Sequence, residues 1–198
     1  MRILQGKLKS KEFASKKGLD TTRPTSSIVK EAIFNKIADH VPGAEFLDLY
    51  SGTGAIAFEA ISRGASRAVM IEKDSVALRI LIENINTLGI SDVCRAYKND
   101  AVKAIEILAR KGEQFDVIFM DPPYEANVSL TTLKAIEKCS ILKPTGIVAC
   151  EHIKFEDMPE RLGRFVQYGE KMYGNKRVTY YYQSKEEAGE ERGEEIEI

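Results

Sequence analysis

Cysteine and histidine are scarce in this chain of 198 residues, which has three of the first and two of the second. Cys94, Cys139 and Cys150 are far apart and form no C-x-x-C pair, and His40 and His152 add too few nitrogen ligands to complete a zinc site. The cysteines read as reduced thiols among apolar neighbours, and no metal is expected. No apolar run approaches the ~20 residues that a membrane span needs. The opening Met1-Arg2-Ile3-Leu4-Gln5-Gly6-Lys7 turns polar too soon for a secretory signal, so no membrane partner and a cytoplasmic location are expected. Internal repeats are absent, and the length leaves no room for two domains of ordinary size. With 43% hydrophobic and 30% charged residues, one well-buried domain is the reading that remains.

A net charge of −1 conceals an uneven distribution. Residues 186–198 carry seven glutamates and one arginine, whereas residues 1–36 carry nine Lys/Arg against three Asp/Glu. A positive end suits an RNA partner, although on charge alone a solvated face reads equally well. We divide the chain into a basic extension over residues 1–40, a domain over 41–184 and an acidic tail over 185–198 without apolar periodicity, expected to be disordered.

Residues 1–13 alternate weakly and predict a short basic β element, and Ser15–Arg23 reads as a loop. Pro24-Thr25-Ser26 opens a helix whose apolar face is Ile28, Val29, Ala32, Ile33, Phe34 and Ile37. Strands are expected at about 45–50, 67–72, 92–97, 115–120 and 145–151, and helices at about 54–63, 74–88, 100–111 and 127–139. Cores such as Phe115-Asp116-Val117-Ile118-Phe119-Met120 are apolar on both faces, as strands covered on both sides must be. The fold class is therefore α/β, a doubly wound, mostly parallel, Rossmann-like sheet. Arg164–Gln167 and Arg177–Gln183, joined through Tyr173-Gly174-Asn175, predict an antiparallel closing hairpin.

Two segments carry chemistry. Leu47-Asp48-Leu49-Tyr50-Ser51-Gly52-Thr53-Gly54 runs off the first strand, and Gly52, Gly54 and Ala57 satisfy the G-x-G-x-x-G/A pattern of nucleotide-binding turns. By itself that pattern also fits a structural turn. Asp48 sharpens it, because a carboxylate there would repel a pyrophosphate but attract the ammonium and sulfonium of S-adenosylmethionine. Glu72, 18 residues after Gly54, stands near the spacing at which an acid accepts both ribose hydroxyls. Asp100 can receive an adenine amino group or cap the next helix. The expected cofactor set is thus Asp48, Ser51, Gly52, Gly54, Glu72 and Asp100.

The fourth strand ends in Asp121-Pro122-Pro123-Tyr124, a rigid extended turn. An exocyclic base amine is a poor nucleophile because its lone pair is delocalised into the ring. The Asp121 carboxylate and the Pro122 carbonyl can bind its two N–H groups and favour a pyramidal, electron-rich nitrogen, while Tyr124 can stack on the base. These three residues are the expected catalytic set. Lys7, Lys9, Lys11 and Arg23 are the expected RNA contacts, Arg23 with a cofactor carboxylate or a loop as alternatives. His152 reads either as a pocket lining or as a packing residue.

With these motifs the chain resembles the class I S-adenosylmethionine-dependent methyltransferases, and within them the RsmD-type 16S ribosomal RNA (guanine-N2)-methyltransferases. The narrower resemblance rests on Met1-Arg2-Ile3 with Gly6-Lys7, Arg23-Pro24-Thr25 with Lys30–Asn35, Glu59-Ala60 with Ser62–Ala65, Glu151-His152 and Tyr173-Gly174. It covers the chain to about residue 183 and implies a seven-stranded sheet, an RNA-contacting N-terminal element and a guanine of small-subunit rRNA, carried in a ribosomal particle. Ser51-Gly52-Thr53-Gly54 departs from the family's commoner Ala-Gly-Ser-Gly, and the acidic tail lies outside its pattern. Rival readings are a methyltransferase for DNA adenine N6 or protein glutamine, and a non-catalytic RNA-binding assembly factor. Room for a DNA-recognition domain is lacking, so DNA is not expected as a partner.

Overall fold

The computed structural model describes residues 1–15, 27–124 and 127–184. The expected loop after Ser15, including Arg23, the Pro24-Thr25-Ser26 helix opening and the acidic tail lie outside the described residues. The elements in chain order are α1 (Ser27–Lys36), β1 (Glu45–Asp48), α2 (Ala55–Ser62), β2 (Arg67–Glu72), α3 (Ser75–Leu88) and β3 (Cys94–Lys98). There follow α4 (Ala101–Arg110), β4 (Phe115–Met120), α5 (Val128–Cys139), β5 (Leu142–Ile153), β6 (Arg161–Leu162), β7 (Phe165–Tyr173) and β8 (Lys176–Gln183). No described helix is long and apolar enough to cross a membrane.

One sheet of eight strands has the order β3-β2-β1-β4-β5-β8-β7-β6. The first five run parallel, and β5-β8-β7-β6 are antiparallel neighbours. The eighth strand, beyond the seven expected, is the two-residue β6 at the edge. Two boundaries differ from expectation because bulges interrupt the alternation. On β5, Phe115 pairs with Leu142 but Val117 with Ile147, so Lys143-Pro144-Thr145-Gly146 are absorbed as an irregularity. Pro144 cannot donate to the ladder, and a Cβ at Gly146 would press on the Asp116 carbonyl. On β7 a register shift between Gln167 and Gly169 lets the strand continue to Tyr173, past the expected end at Gln167.

Helices cover both faces. Residues of α1, α2 and α3 pack with Phe46, Met70, Val117, Phe119, Ile147 and Tyr180 on one side. Those of α4 and α5 pack with Leu47, Val69, Ile118, Met120, Val148 and Tyr181 on the other. In α1, Val29, Ile33 and Phe34 are buried as expected, but Ile28 is 75% exposed. The residue that turns inward is Lys30, whose ammonium lies 3.1 Å from Glu59.

The expected N-terminal β element is reduced to one antiparallel bridge, Arg2 with Glu12. Its arms are joined by Ile3 N–H to the Lys11 carbonyl (3.1 Å) and Phe13 N–H to the Met1 carbonyl (2.9 Å). Ile3, Leu8 and Phe13 are buried in the α1–α2–α3 core, with the Phe13 and Phe58 rings edge to face at 5.3 Å. The segment is thus packed onto α2, the helix that follows the glycine loop.

Candidate active site at the carboxyl ends of the parallel strands

Strand order reverses between β1 and β4, and an open α/β sheet leaves a crevice at the carboxyl ends of the strands there. Asp48 ends β1, Asp121 follows β4, Glu72 ends β2 and Asp100 follows β3. The sheet therefore brings four residues expected from the sequence onto one rim, in the lateral order Asp100, Glu72, Asp48, Asp121.

The turn after β1 is held from both sides. The Ser51 N–H donates to the Ile71 carbonyl (3.0 Å) and its hydroxyl to the Asp48 carbonyl (2.9 Å), while Gly54 N–H donates back to Ser51 (2.8 Å). Gly52 and Gly54 have φ of 53° and 97°, which side chains on Cβ disfavour. The two glycines differ in what surrounds them. A Cβ at Gly54 would overlap the Phe58 ring and Leu81, so Gly54 is required by packing. A Cβ at Gly52 would meet no atom within 4 Å, so that backbone borders open space.

Asp48 is 1% exposed and accepts a long hydrogen bond, 3.4 Å, from the Tyr50 N–H, while the Ser51 side chain and the Ala57 amide also favour its charged form. Burial pushes its carboxyl up to about 7, with repulsion from Glu72 adding to the rise. No lysine or arginine among the described residues pairs with it. A buried carboxylate without a cation beside an open glycine turn fits a positively charged ligand.

Glu72 is less free than the spacing implies. Its two oxygens accept from Gly52 N–H and Asp74 N–H, both at 2.7 Å, which ties the turn to the end of β2. Each oxygen keeps a further lone pair for a ligand hydroxyl. Asp100 caps α4 through Val102 N–H (3.1 Å) and Lys103 N–H (3.4 Å), and its other oxygen lies 3.5 Å from Lys73.

The Asp121-Pro122-Pro123-Tyr124 turn places Pro122 in the interior and Tyr124 at the surface, 51% exposed. Burial, then the neighbouring Glu151, pushes the Asp121 carboxyl up to about 7, and Lys176 opposes the rise. Glu151 and Lys176 are the residues that sequence reasoning missed as members of this cluster. Lys176, at the start of β8, pairs with the fully buried Glu151, lies 3.8 Å from Asp121 and stands 5.5 Å from the Tyr124 ring centre. A charge closing the apolar run Ile147–Cys150 was the available signal for Glu151. For Lys176 there was none, because only the β5–β8 register, Ile153 with Lys176, brings it here. His152 is buried, with Nε2 2.8 Å from the Thr179 hydroxyl, and so packs within the sheet.

Lys7, Lys9 and Lys11 are exposed, while the backbone that carries them is fixed by bonds such as Lys7 N–H to the Ser62 carbonyl, 2.7 Å.

Known proteins agree with this architecture. The family described as Conserved hypothetical protein 95 matches residues 1–182. YlbH of Bacillus subtilis, provisionally named an rRNA methyltransferase, is 33% identical over 181 residues, covering 91% of this chain and 98% of its own. Ribosomal RNA small subunit methyltransferase D of Escherichia coli K12 is 30% identical over 168 residues, with 85% and 82% covered. The solved structure of Escherichia coli yhhF, provisionally named a methyltransferase, superposes with a TM-score of 0.83 at 27% identity, covering 94% of this chain and 99% of that one. With the fold, the rim of carboxylates and these relatives together, the chain belongs to the RsmD-type family of S-adenosylmethionine-dependent rRNA methyltransferases.

Proposed function

We propose that this protein transfers a methyl group from S-adenosylmethionine to the exocyclic N2 amine of a guanine in small-subunit (16S) ribosomal RNA, presented within a ribosomal particle in the cytoplasm. The observation that carries the reading is the pair Asp48 and Asp121, a buried and a partly buried carboxylate at the ends of adjacent strands astride the point where strand order reverses. One suits a cationic cofactor and the other a base amine.

S-adenosylmethionine, when bound, supplies an activated methyl group, so neither a metal nor a covalent enzyme intermediate is required. Asp48, Ser51, Gly52 and Gly54 would hold its charged end, and Glu72 and Asp100 its ribose and adenine. Asp121 and the Pro122 carbonyl accept the two N–H groups of the target amine, which localises the nitrogen lone pair, and Asp121 takes the departing proton. A carboxyl pushed up to about 7 is suited to proton transfer near neutral pH. Tyr124 stacks on the extruded base, a contact worth roughly 1–3 kcal/mol elsewhere. Lys7, Lys9, Lys11 and Arg23 engage RNA phosphates.

Tritiated methyl transfer to hypomethylated small subunits, followed by digestion to nucleosides, tests the reading. Label is expected in N2-methylguanosine. Label in DNA adenine or protein glutamine, or no transfer despite RNA binding, would replace this reading with one of its rivals.

A further inference from the structure

Of the acidic side chains at this rim, Asp121 and the neighbouring Glu151 face one lysine. Glu151 is fully buried on β5, and Lys176 lies diagonally across from it on β8, since Glu151 pairs with Val178 and Ile153 with Lys176. Diagonal neighbours on one face of an antiparallel pair are within reach of a long side chain. The lysine then points on toward the end of β4, where its ammonium is 3.8 Å from the Asp121 Oδ2.

We propose that Lys176 is a positioning residue for methyl transfer: anchored by the buried Glu151, it holds the Asp121 carboxylate charged and aimed at the target amine. This rests on the reading of Asp121 given above. Glu151 alone beside Asp121 would drive a proton onto one of the two, because like charges at such range do not both ionise. The ammonium, paired with Glu151 and 3.8 Å from Asp121, opposes that repulsion. It also stands over the Tyr124 ring, so one group ties the acceptor and the stacking residue into a single unit.

Other described groups also face this unit. Asp48 on β1 adds a weaker negative influence on Asp121, and Cys150 on β5 lies near it with its thiol driven well above the usual range by burial. Tyr180 on β8 faces Glu151 and also Tyr173 on β7; both tyrosine hydroxyls are buried without a hydrogen-bond partner among the described residues, and burial holds both neutral. None of these described groups supplies a cation, whereas Lys176 pairs with both Glu151 and Asp121.

The test compares wild type, Lys176→Met, Lys176→Arg, Glu151→Gln and Asp121→Ala in two measurements. One is the pH profile of single-turnover methylation with saturating cofactor. The other is the titration of the Asp121 carboxyl followed by carbon-13 NMR in the cofactor-free protein. Loss of an opposite charge at this range raises a carboxyl by about 1–3 pH units. Lys176→Met should therefore move both midpoints upward and lower the rate at pH 7, and Lys176→Arg should restore the profile. Glu151→Gln should move the midpoint the other way, because the lysine is then shared with no other anion; this variant keeps the test open if Lys176→Met does not fold. A merely structural lysine would change stability and leave the midpoints in place, and that result overturns the proposal. The two failures separate: wild-type methylation by Asp121→Ala removes Asp121 from the chemistry, whereas an inactive Asp121→Ala with unmoved midpoints in Lys176→Met and Glu151→Gln removes only Lys176.

Discussion

At the scale of single residues, the candidate site is organised by the cost of burying charge. Asp48 is a buried strand-end carboxylate with a long hydrogen bond from Tyr50 and no cation among the described residues beside it, so the free protein holds it as an acid up to about pH 7. Its folded-state value is raised above the unfolded one. Its contribution to stability is therefore complete below the unfolded value near 4 and fades as pH rises through about 7. Binding of a cationic cofactor runs in the opposite direction, since it needs the ionised form. Calorimetric affinity for S-adenosylmethionine should rise between pH 6 and pH 8 in wild type. Asp48→Asn should weaken binding and flatten that dependence, and an unchanged pH slope would take Asp48 out of the cofactor site. Asp48 and Asp121 were legible in the sequence because each sits at a fixed offset from a glycine or proline turn. The pairing of Glu151 with Lys176 was not, because it arises through strand register across 25 residues, which no local spacing encodes.

At the scale of elements, the basic N-terminal region turns out to spend part of its charge inside the protein. Glu59 on α2 is fully buried, accepts from Leu4 and Gln5 N–H at 2.9 Å each, and pairs with Lys30 at 3.1 Å and Arg63 at 2.9 Å. Burial alone would raise its carboxyl, but the Leu4 amide, Lys30 and Arg63 outweigh that and hold it below the usual range. A lowered carboxyl contributes stability above its unfolded value and loses it as pH falls through the folded one, so acid should release this clasp. Removing one partner of a buried ion pair typically costs about 3–5 kcal/mol, and Glu59→Gln should lower urea stability on that scale. Lys30→Met combined with Glu59→Gln should recover part of the loss. Equal stability of Glu59→Gln and wild type would show that the N-terminal arm is held by its apolar contacts alone. The helix pattern over residues 27–37 revealed the buried Val29, Ile33 and Phe34 but misassigned Ile28. Periodicity ranks side chains by hydrophobicity and cannot see that Lys30 has an acid waiting for it on another helix.

For the whole molecule, the same topology separates two surfaces. The parallel strands deliver the carboxylates to one rim, while the N-terminal segment, packed on α2, presents Lys7, Lys9 and Lys11 to solvent. Because Lys30 is internally paired, these exposed lysines and Arg23 carry much of what remains of the basic end for an outside partner. An overall charge of −1 gives no general attraction to nucleic acid, so any electrostatic binding has to be local. Each phosphate held by a lysine adds roughly −0.7 to the slope of log affinity against log salt for single-stranded RNA. Replacing Lys7, Lys9 and Lys11 with Gln should therefore weaken binding of small-subunit RNA at low salt and make that slope shallower by up to about 2. The matched control replaces the exposed Lys103, Lys111 and Lys134, which remove the same charge from the α4–α5 side of the sheet. If the N-terminal residues touch phosphates, the first triple variant changes the slope and the second does not. Equal losses from both would mean that RNA responds only to net charge, and the arm would then serve the fold rather than the substrate.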